Sequence, residues 1–164
     1  SGFCPWCCRG LTPSSTLLST REVRADARVA QKLKVVPGSA VLEVRRLRMA
    51  SGEPMALEEA YLPQPRLADL DLARLVNESL YEVLKQDYGI VLRNAAQEIQ
   101  ATVLTEEEAA LLDVAAFSPA LMVERQVFTT EGEVVEFGKS LYRADRYRFE
   151  VNVGRAQPED GALR

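Results

Sequence analysis

Arg46 and Arg48, two residues apart, are the side chains of this sequence whose type and spacing most clearly indicate chemistry. They belong to the stretch 41–49, whose apolar residues and length are typical of a β-strand. Side chains alternate between the two faces of a strand, so Leu42, Val44 and both arginines would share one face. Two guanidinium groups on a face that begins apolar need an anion. That anion is either a carboxylate of the protein or a bound ligand.

Glu58, on the next predicted strand, is the candidate carboxylate from the protein itself. If Met49 pairs with Met55 across a five-residue loop, Arg46 faces Glu58. A four-residue loop would place Glu58 on the other face instead. The first register allows a cross-strand salt bridge, which would explain one arginine and leave the second without a partner.

Ser79 is a candidate third arm of the same anion site. Asn77 is a good N-cap for a helix predicted over residues 78–87, which places Ser79 in the first helical turn. Free amide groups and the helix dipole favour an anion there, and a hydroxyl adds a donor. A serine at this position is common in ordinary helices, so the prediction depends on convergence with the two arginines.

A later strand offers a second polar face. In the predicted strand 134–143, Glu136, Gly138, Ser140 and Tyr142 alternate with the apolar Val135, Phe137 and Leu141, interrupted by Lys139. A carboxylate, two hydroxyls and the gap left by a glycine could line a pocket for sugar-like hydroxyl groups. The alternative is an ordinary solvated strand face.

The residue types exclude several kinds of chemistry. The 164-residue chain contains no histidine, which removes the commonest general base and the commonest metal ligand. The three cysteines, Cys4, Cys7 and Cys8, could form a redox pair or half of a zinc site. No second pair completes four ligands, and the motif does not follow a strand, so we expect neither a metal nor a cofactor.

Charge and hydropathy limit the partners. The net charge is −4 and the isoelectric point is about 5.1, which argues against direct binding of nucleic acid by these residues. No apolar run approaches a membrane span, and the free thiols fit a reducing cytoplasm. The chain begins Ser1-Gly2 rather than with methionine, so we expect it to be a fragment of a longer protein or to have lost a tag.

The remaining pattern predicts an α+β fold with a mainly antiparallel sheet and helices on one side of it. Asp26 caps a first short helix, and Thr105 with Glu108 forms a capping box for a later one. The element order is β-α-β-β-α-β-α-β-β-β. The strands are expected over residues 15–24, 41–49, 55–63, 90–104, 120–130, 134–143 and 148–153, with a bend or bulge near 94–96.

Over residues 9–153 the sequence resembles the UTRA effector-binding domain of the HutC branch of GntR transcriptional regulators. Each motif is weak, but their order and spacing together are specific. The matching stretches are Gly10-Leu11-Thr12-Pro13-Ser14, the turn 33–38, Arg46-Leu47-Arg48 with Gly52-Glu53-Pro54, Glu58 with Tyr61-Leu62-Pro63, Ser79-Leu80-Tyr81 leading to Tyr88-Gly89, the segment 107–112, Glu124-Arg125, and 142–149.

The resemblance implies a chorismate-lyase-like fold that binds a small effector and is not an enzyme. It also implies a homodimer, with DNA contacted through a winged-helix domain that precedes this one. Residues 1–13 would be a linker, 14–153 the effector domain and 154–164 a flexible tail. By position in phosphosugar-sensing relatives, the ligand-binding residues would be Arg46, Arg48, Glu58, Ser79, Glu136 and Tyr142.

A sugar phosphate is the favoured effector, with a carboxylate metabolite close behind. An enzyme of the chorismate-lyase type, which shares the fold and binds an anionic ring, is the second reading. A redox or metal module built on the cysteines is the third.

Overall fold

The alternating apolar pattern of the sequence folds into one antiparallel sheet. The computed structural model describes residues 10–64, 67, 69–71, 73–74, 78 and 80–150. Within them the strands are β1 (Pro13–Arg24), β2 (Ala40–Ala50), β3 (Glu53–Pro63), β4 (Leu92–Val103), β5 (Pro119–Thr129) and β6 (Val134–Arg143). The helices are α1 (Ala27–Leu33), α2 (Leu80–Tyr88) and α3 (Glu106–Leu111).

The strands lie in the order β1-β2-β3-β6-β5-β4, and every neighbouring pair is antiparallel. Hairpins join β2 to β3 and β5 to β6, so the two hairpins meet at the central β3–β6 pair. The strand faces that carry the candidate site residues therefore lie side by side in the middle of the sheet. This confirms the predicted α+β class with a mainly antiparallel sheet.

Helices pack on both faces of the sheet, not on one face as the sequence suggested. One face packs α1 against Val41 and Phe137, and α3 against Leu57 and Leu141. On the opposite face, α2 packs with Val44, Leu62 and Val127. Strands β2 and β3 require this, because each carries buried apolar residues on both faces and each face must be covered by another element.

The N-terminal caps predicted from the sequence are present at the starts of α1 and α3. The Asp26 carboxylate accepts a 2.8 Å hydrogen bond from the Val29 amide at the start of α1. Thr105 and Glu108 form the reciprocal capping box of α3. Such caps satisfy amide groups that have no partner inside the helix.

Two other predictions have mixed outcomes. The bulge in β4 lies at Arg93, next to the expected bend at 94–96. The prediction of a final strand over 148–153 is wrong for residues 148–150, which belong to no strand, and residues 151–153 lie outside the described part.

Among the helices of the described residues, none has both the length and the apolar character needed to cross a membrane.

Candidate functional site

Glu58 of β3 contacts Arg46 and Arg48 of β2. Its Oε2 lies 2.8 Å from Arg46 Nη2, and its Oε1 lies 3.2 Å from Arg48 Nη1. The side chains of Arg46, Arg48 and Glu58 are 10%, 22% and 17% exposed, so all three charges are largely withdrawn from water. The sequence had assigned this carboxylate to one arginine at most. In the structure it is shared by the pair.

The hairpin reaches this register by a route the sequence did not predict. It closes with the two-residue turn Ser51-Gly52, whose φ values are +49° and +82°, rather than with a loop of four or five residues. A bulge at Met55 then shifts the register by one residue, and Arg46 pairs with Glu58, which is the outcome of the first of the two registers that the sequence left open. A one-residue shift moves a side chain to the other face, so the bulge decides whether the carboxylate can reach the arginines.

Tyr142 of β6 lies at the Arg48 end of the same face. Arg48 pairs with Ala56 across β2–β3, and Ala56 pairs with Tyr142 across β3–β6. The Tyr142 ring stacks on Tyr147 at a centroid distance of 4.3 Å. Burial raises the pKa of the Tyr142 hydroxyl, and the nearby Glu58 carboxylate raises it further. The hydroxyl therefore stays protonated and can donate a hydrogen bond.

Glu136 of β6 is buried at the other end of this face, 7% exposed. Burial raises the pKa of its carboxyl group, and the cations Arg46 and Arg125 offset part of that effect. A Cβ placed on Gly138 would lie 3.2 Å from Glu136 Oε1. The gap over Gly138 is thus next to the Glu136 carboxylate, rather than simply open to a ligand as the sequence suggested.

Two further residues complete this end of the site and were not predicted as site residues. Tyr81 of α2 hydrogen-bonds to the Glu136 carboxylate, and its ring lies 5.2 Å from Arg125 Cζ. The sequence did offer a signal for Arg125, because it lies between the apolar Val123 and Val127 on one face of β5. Tyr81 had none, because its place over the sheet depends on how α2 docks.

Ser79 and its expected cap Asn77 lie outside the described residues, so the third arm stays a prediction. Within the described part, the site brings together three guanidinium groups (Arg46, Arg48 and Arg125) and two carboxyl groups (Glu58 and Glu136). The excess of positive charge suits an anionic ligand group. Cys4, Cys7 and Cys8 lie outside the described residues, so the cysteine prediction stays untested. Within the described residues, no cluster of Asp and Glu side chains could hold a metal ion.

Comparison with known proteins places this geometry in a family. The model of the UTRA domain family matches residues 8–148. The chain is 30% identical over 141 residues to the HTH-type transcriptional repressor NagR of Bacillus subtilis (strain 168). That alignment covers 86% of this chain and 58% of the repressor. The chain therefore spans under three-fifths of the length of that curated relative.

Solved structures agree with the family. The effector domain of PhnF from Mycobacterium smegmatis superimposes with a TM-score of 0.81 at 27% identity, covering 91% of each chain. A protein from Streptomyces coelicolor, described as a transcriptional regulator, is 40% identical with a TM-score of 0.79, covering 85% of this chain and 92% of that one.

The antiparallel sheet and the family match together define an effector-binding domain of the kind found in GntR-family transcription regulators. The chain belongs to the UTRA domain family. The resemblance seen in the sequence motifs is thereby confirmed.

Proposed function

We propose that this domain senses a small anionic metabolite, with a sugar phosphate favoured over a carboxylate metabolite, and that Arg46 and Arg48 bind its anionic group. The observation that carries the proposal is the convergence of both guanidinium groups on one carboxylate in a largely buried position. A phosphate has the charge and the acceptor oxygens to take the place of that carboxylate. It can also accept from two arginines at once.

Binding of the anion would then displace Glu58 from the arginines. Once displaced, Glu58 can accept hydrogen bonds from ligand hydroxyl groups, since it lies opposite Ser140 in the centre of the sheet. Ser79 would add a donor from the start of α2. Glu136 and Tyr142, at the two ends of the β6 face, would discriminate between effectors that share the anionic group.

The regulatory role concerns the longer protein. The relatives are named HTH-type regulators and this chain matches part of their length, so we infer that DNA is bound by a domain outside these 164 residues. Effector binding would shift the populations of a homodimer's arrangements in the cytoplasm and so change the spacing of two DNA-binding domains.

The test is a thermal-shift screen of phosphorylated sugars against carboxylate metabolites, followed by calorimetry on the compounds that stabilise the domain. We expect phosphorylated sugars to stabilise the domain, and we expect Arg46→Ala and Arg48→Ala each to abolish this stabilisation. Arg45→Ala is a matched control, because Arg45 lies on the other face of β2 and contacts Glu59. Unchanged affinity in both site variants would remove the arginine pair from the binding site.

We infer a sensor rather than an enzyme, because the named relatives are transcriptional regulators. The second reading of the sequence, turnover of an anionic ring as in chorismate lyase, is tested directly by incubating the domain with chorismate. Release of product above the uncatalysed rate, lost in Arg46→Ala, would establish the enzyme instead.

A further inference from the structure

A cleft lies on the sheet between α1 and α3 and encloses about 340 Å³, part of it open to solvent. Its apolar floor consists of Leu18 of β1, Leu57 of β3 and Leu141 of β6. Charged side chains form its walls, and one of them is Lys139 of β6. An apolar floor with a few charged groups around it is typical of a site for a small molecule.

This cleft is on the face of the sheet opposite the proposed anion site. Side chains alternate along β3, so Glu59 faces the cleft while the side chain of Glu58 contacts Arg46 on the other face. Glu58 therefore borders the cleft through its backbone, and the two sites share no side chain.

Lys139 occupies the gap between the two helices. It lies two residues from Phe137, which packs against α1, and two residues from Leu141, which packs against α3. Across the sheet its neighbours are Glu59 of β3 and Glu124 of β5. Neither carboxylate forms an ion pair with Lys139 in the described part of the chain, although this lysine is partly buried.

Both neighbouring carboxylates are engaged by other cations. Arg45 Nε lies 3.5 Å from Glu59 Oε2. On the other side, Glu124 contacts Arg28 of α1, and its Oε2 lies 3.5 Å from Lys32 Nζ. The ammonium group in the cleft is thus available to pair with the anionic group of a ligand.

We propose that this cleft is a second binding site, specific for a small monocarboxylate with an apolar body. The ligand carboxylate accepts hydrogen bonds from the Lys139 ammonium group, and the apolar body lies on the three leucines of the floor. The site is independent of the proposed function, because no side chain of the arginine pair takes part in it.

The charges around the cleft favour one negative charge over the two of a phosphate monoester. Glu59 and Glu124 flank Lys139. Glu108 also lines the cleft, with its Oε2 accepting a hydrogen bond from the Thr105 amide. A dianion would be repelled by these carboxylates more strongly than a monoanion would. The leucine floor favours an apolar body, since burying apolar surface stabilises a complex.

The experiment follows the leucine methyl resonances of the 164-residue chain by NMR during titration with hexanoate. The comparison compounds are hexanamide, which has the same apolar chain without the charge, and acetate, which has the charge without the chain. Leu141→Met removes the resonances of one leucine and so assigns the Leu141 methyl groups. Lys139→Gln removes the ammonium group, and Lys85→Gln is the matched control, because Lys85 is exposed on α2 at the opposite face.

We expect a saturable shift of the Leu141 methyl resonances with hexanoate in the millimolar range. Acetate should bind at least about tenfold more weakly, because it lacks the methylene groups that contact the floor. Lys139→Gln should weaken hexanoate binding at least about threefold, and hexanamide should bind the unaltered chain more weakly by a similar factor. Lys85→Gln should leave hexanoate binding unchanged. Should Lys139→Gln fail to fold, the comparison of hexanoate with hexanamide in the unaltered chain decides the role of the charge.

Absence of a saturable Leu141 shift, or equal binding of hexanoate and hexanamide, would overturn the site. Hexanoate that shifts the Nε–H resonances of Arg46 and Arg48 but leaves Leu141 unmoved would place the carboxylate at the arginine pair. That result would overturn the cleft site and support the proposed function. A Leu141 shift with hexanoate, without any response of the two arginines to inorganic phosphate, would do the reverse.

Discussion

Glu58 Oε2 lies 2.8 Å from Arg46 Nη2, and this carboxylate also reaches Arg48, so the domain supplies its own anion to the arginine pair. An effector anion bound by this pair, as we propose, would compete with a group of the protein. This competition would lower the affinity for the effector. It would also couple effector binding to a displacement of Glu58, which belongs to the central strand β3.

Glu58→Gln should bind inorganic phosphate about tenfold more tightly than the unaltered domain, because the neutral amide competes less well for two guanidinium groups. The same change should lower the free energy of unfolding by about 1–3 kcal/mol, since both arginines lose their charged partner. Calorimetry and urea unfolding measure the two effects. Glu82→Gln, an exposed change on α2, is the control, and weaker phosphate binding in Glu58→Gln would contradict internal competition.

Arg48→Ala should weaken effector binding by about 1.5–3 kcal/mol, the scale of a hydrogen bond to a charged group. Arg45→Ala should leave the affinity unaltered, because Arg45 lies on the opposite face and its contact is with Glu59, 3.5 Å away. Isothermal calorimetry with the effector found by the thermal-shift screen provides the comparison. Equal losses of effector affinity in the two variants would show that removing any positive charge weakens binding, and that Arg48 has no specific role in a binding site.

Glu136→Gln should remove a pH dependence of stability. Burial raises the folded-state pKa of Glu136 above its ordinary 4.5, so the folded state binds this proton more tightly than the unfolded chain does. This contribution to stability is full below pH 4.5 and is lost as pH rises towards the folded-state pKa. As pH rises across that window, the free energy of unfolding of the variant relative to the unaltered domain should therefore increase by up to about 1.4 kcal/mol per pH unit.

Urea unfolding of both proteins at several pH values between 4 and 8 measures this difference. The isosteric, uncharged Gln cannot titrate, so the variant minus wild-type difference isolates the Glu136 proton. Glu82→Gln should give no trend. A difference that stays flat across the range would mean that the Glu136 pKa is not raised.

Tyr142→Phe and Glu136→Gln should change the ranking of effectors, whereas Arg46→Ala and Arg48→Ala should weaken all phosphorylated compounds alike. The reason is that the first two residues lie at the ends of the proposed site and present hydrogen-bonding groups, while the arginines are proposed to bind the anionic group that the compounds share. A panel of phosphorylated sugars measured against each variant is the test. An unchanged ranking and unchanged affinities would leave this strand face without a role in recognition.

The domain should form a homodimer at tens of micromolar. Strand β4 is an edge of the sheet whose residues 93–101 are all exposed, and an uncovered edge of this length invites pairing with another copy. Multi-angle light scattering should report about twice the 18.2 kDa mass of the chain. An 18.2 kDa species alone at this concentration would argue against the dimer.

Local sequence determined the elements and the shared faces. Period-two alternation placed Arg46 with Arg48, and Glu136 with Tyr142, each pair on one side of its strand. Asp26 and the Thr105–Glu108 box marked helix starts, because caps satisfy amides within three residues of themselves. These are short-range interactions, so the residues that make them are neighbours in the chain.

Only the tertiary structure determined which side chains from other elements contact those strand faces. The bulge at Met55 brings Glu58 to both arginines, and the β5–β6 register and docking of α2 bring Arg125 and Tyr81 to Glu136. Burial in the folded domain then raises the pKa of Glu136. Strand register and helix docking depend on contacts between residues far apart in the chain, which periodicity within one segment cannot specify.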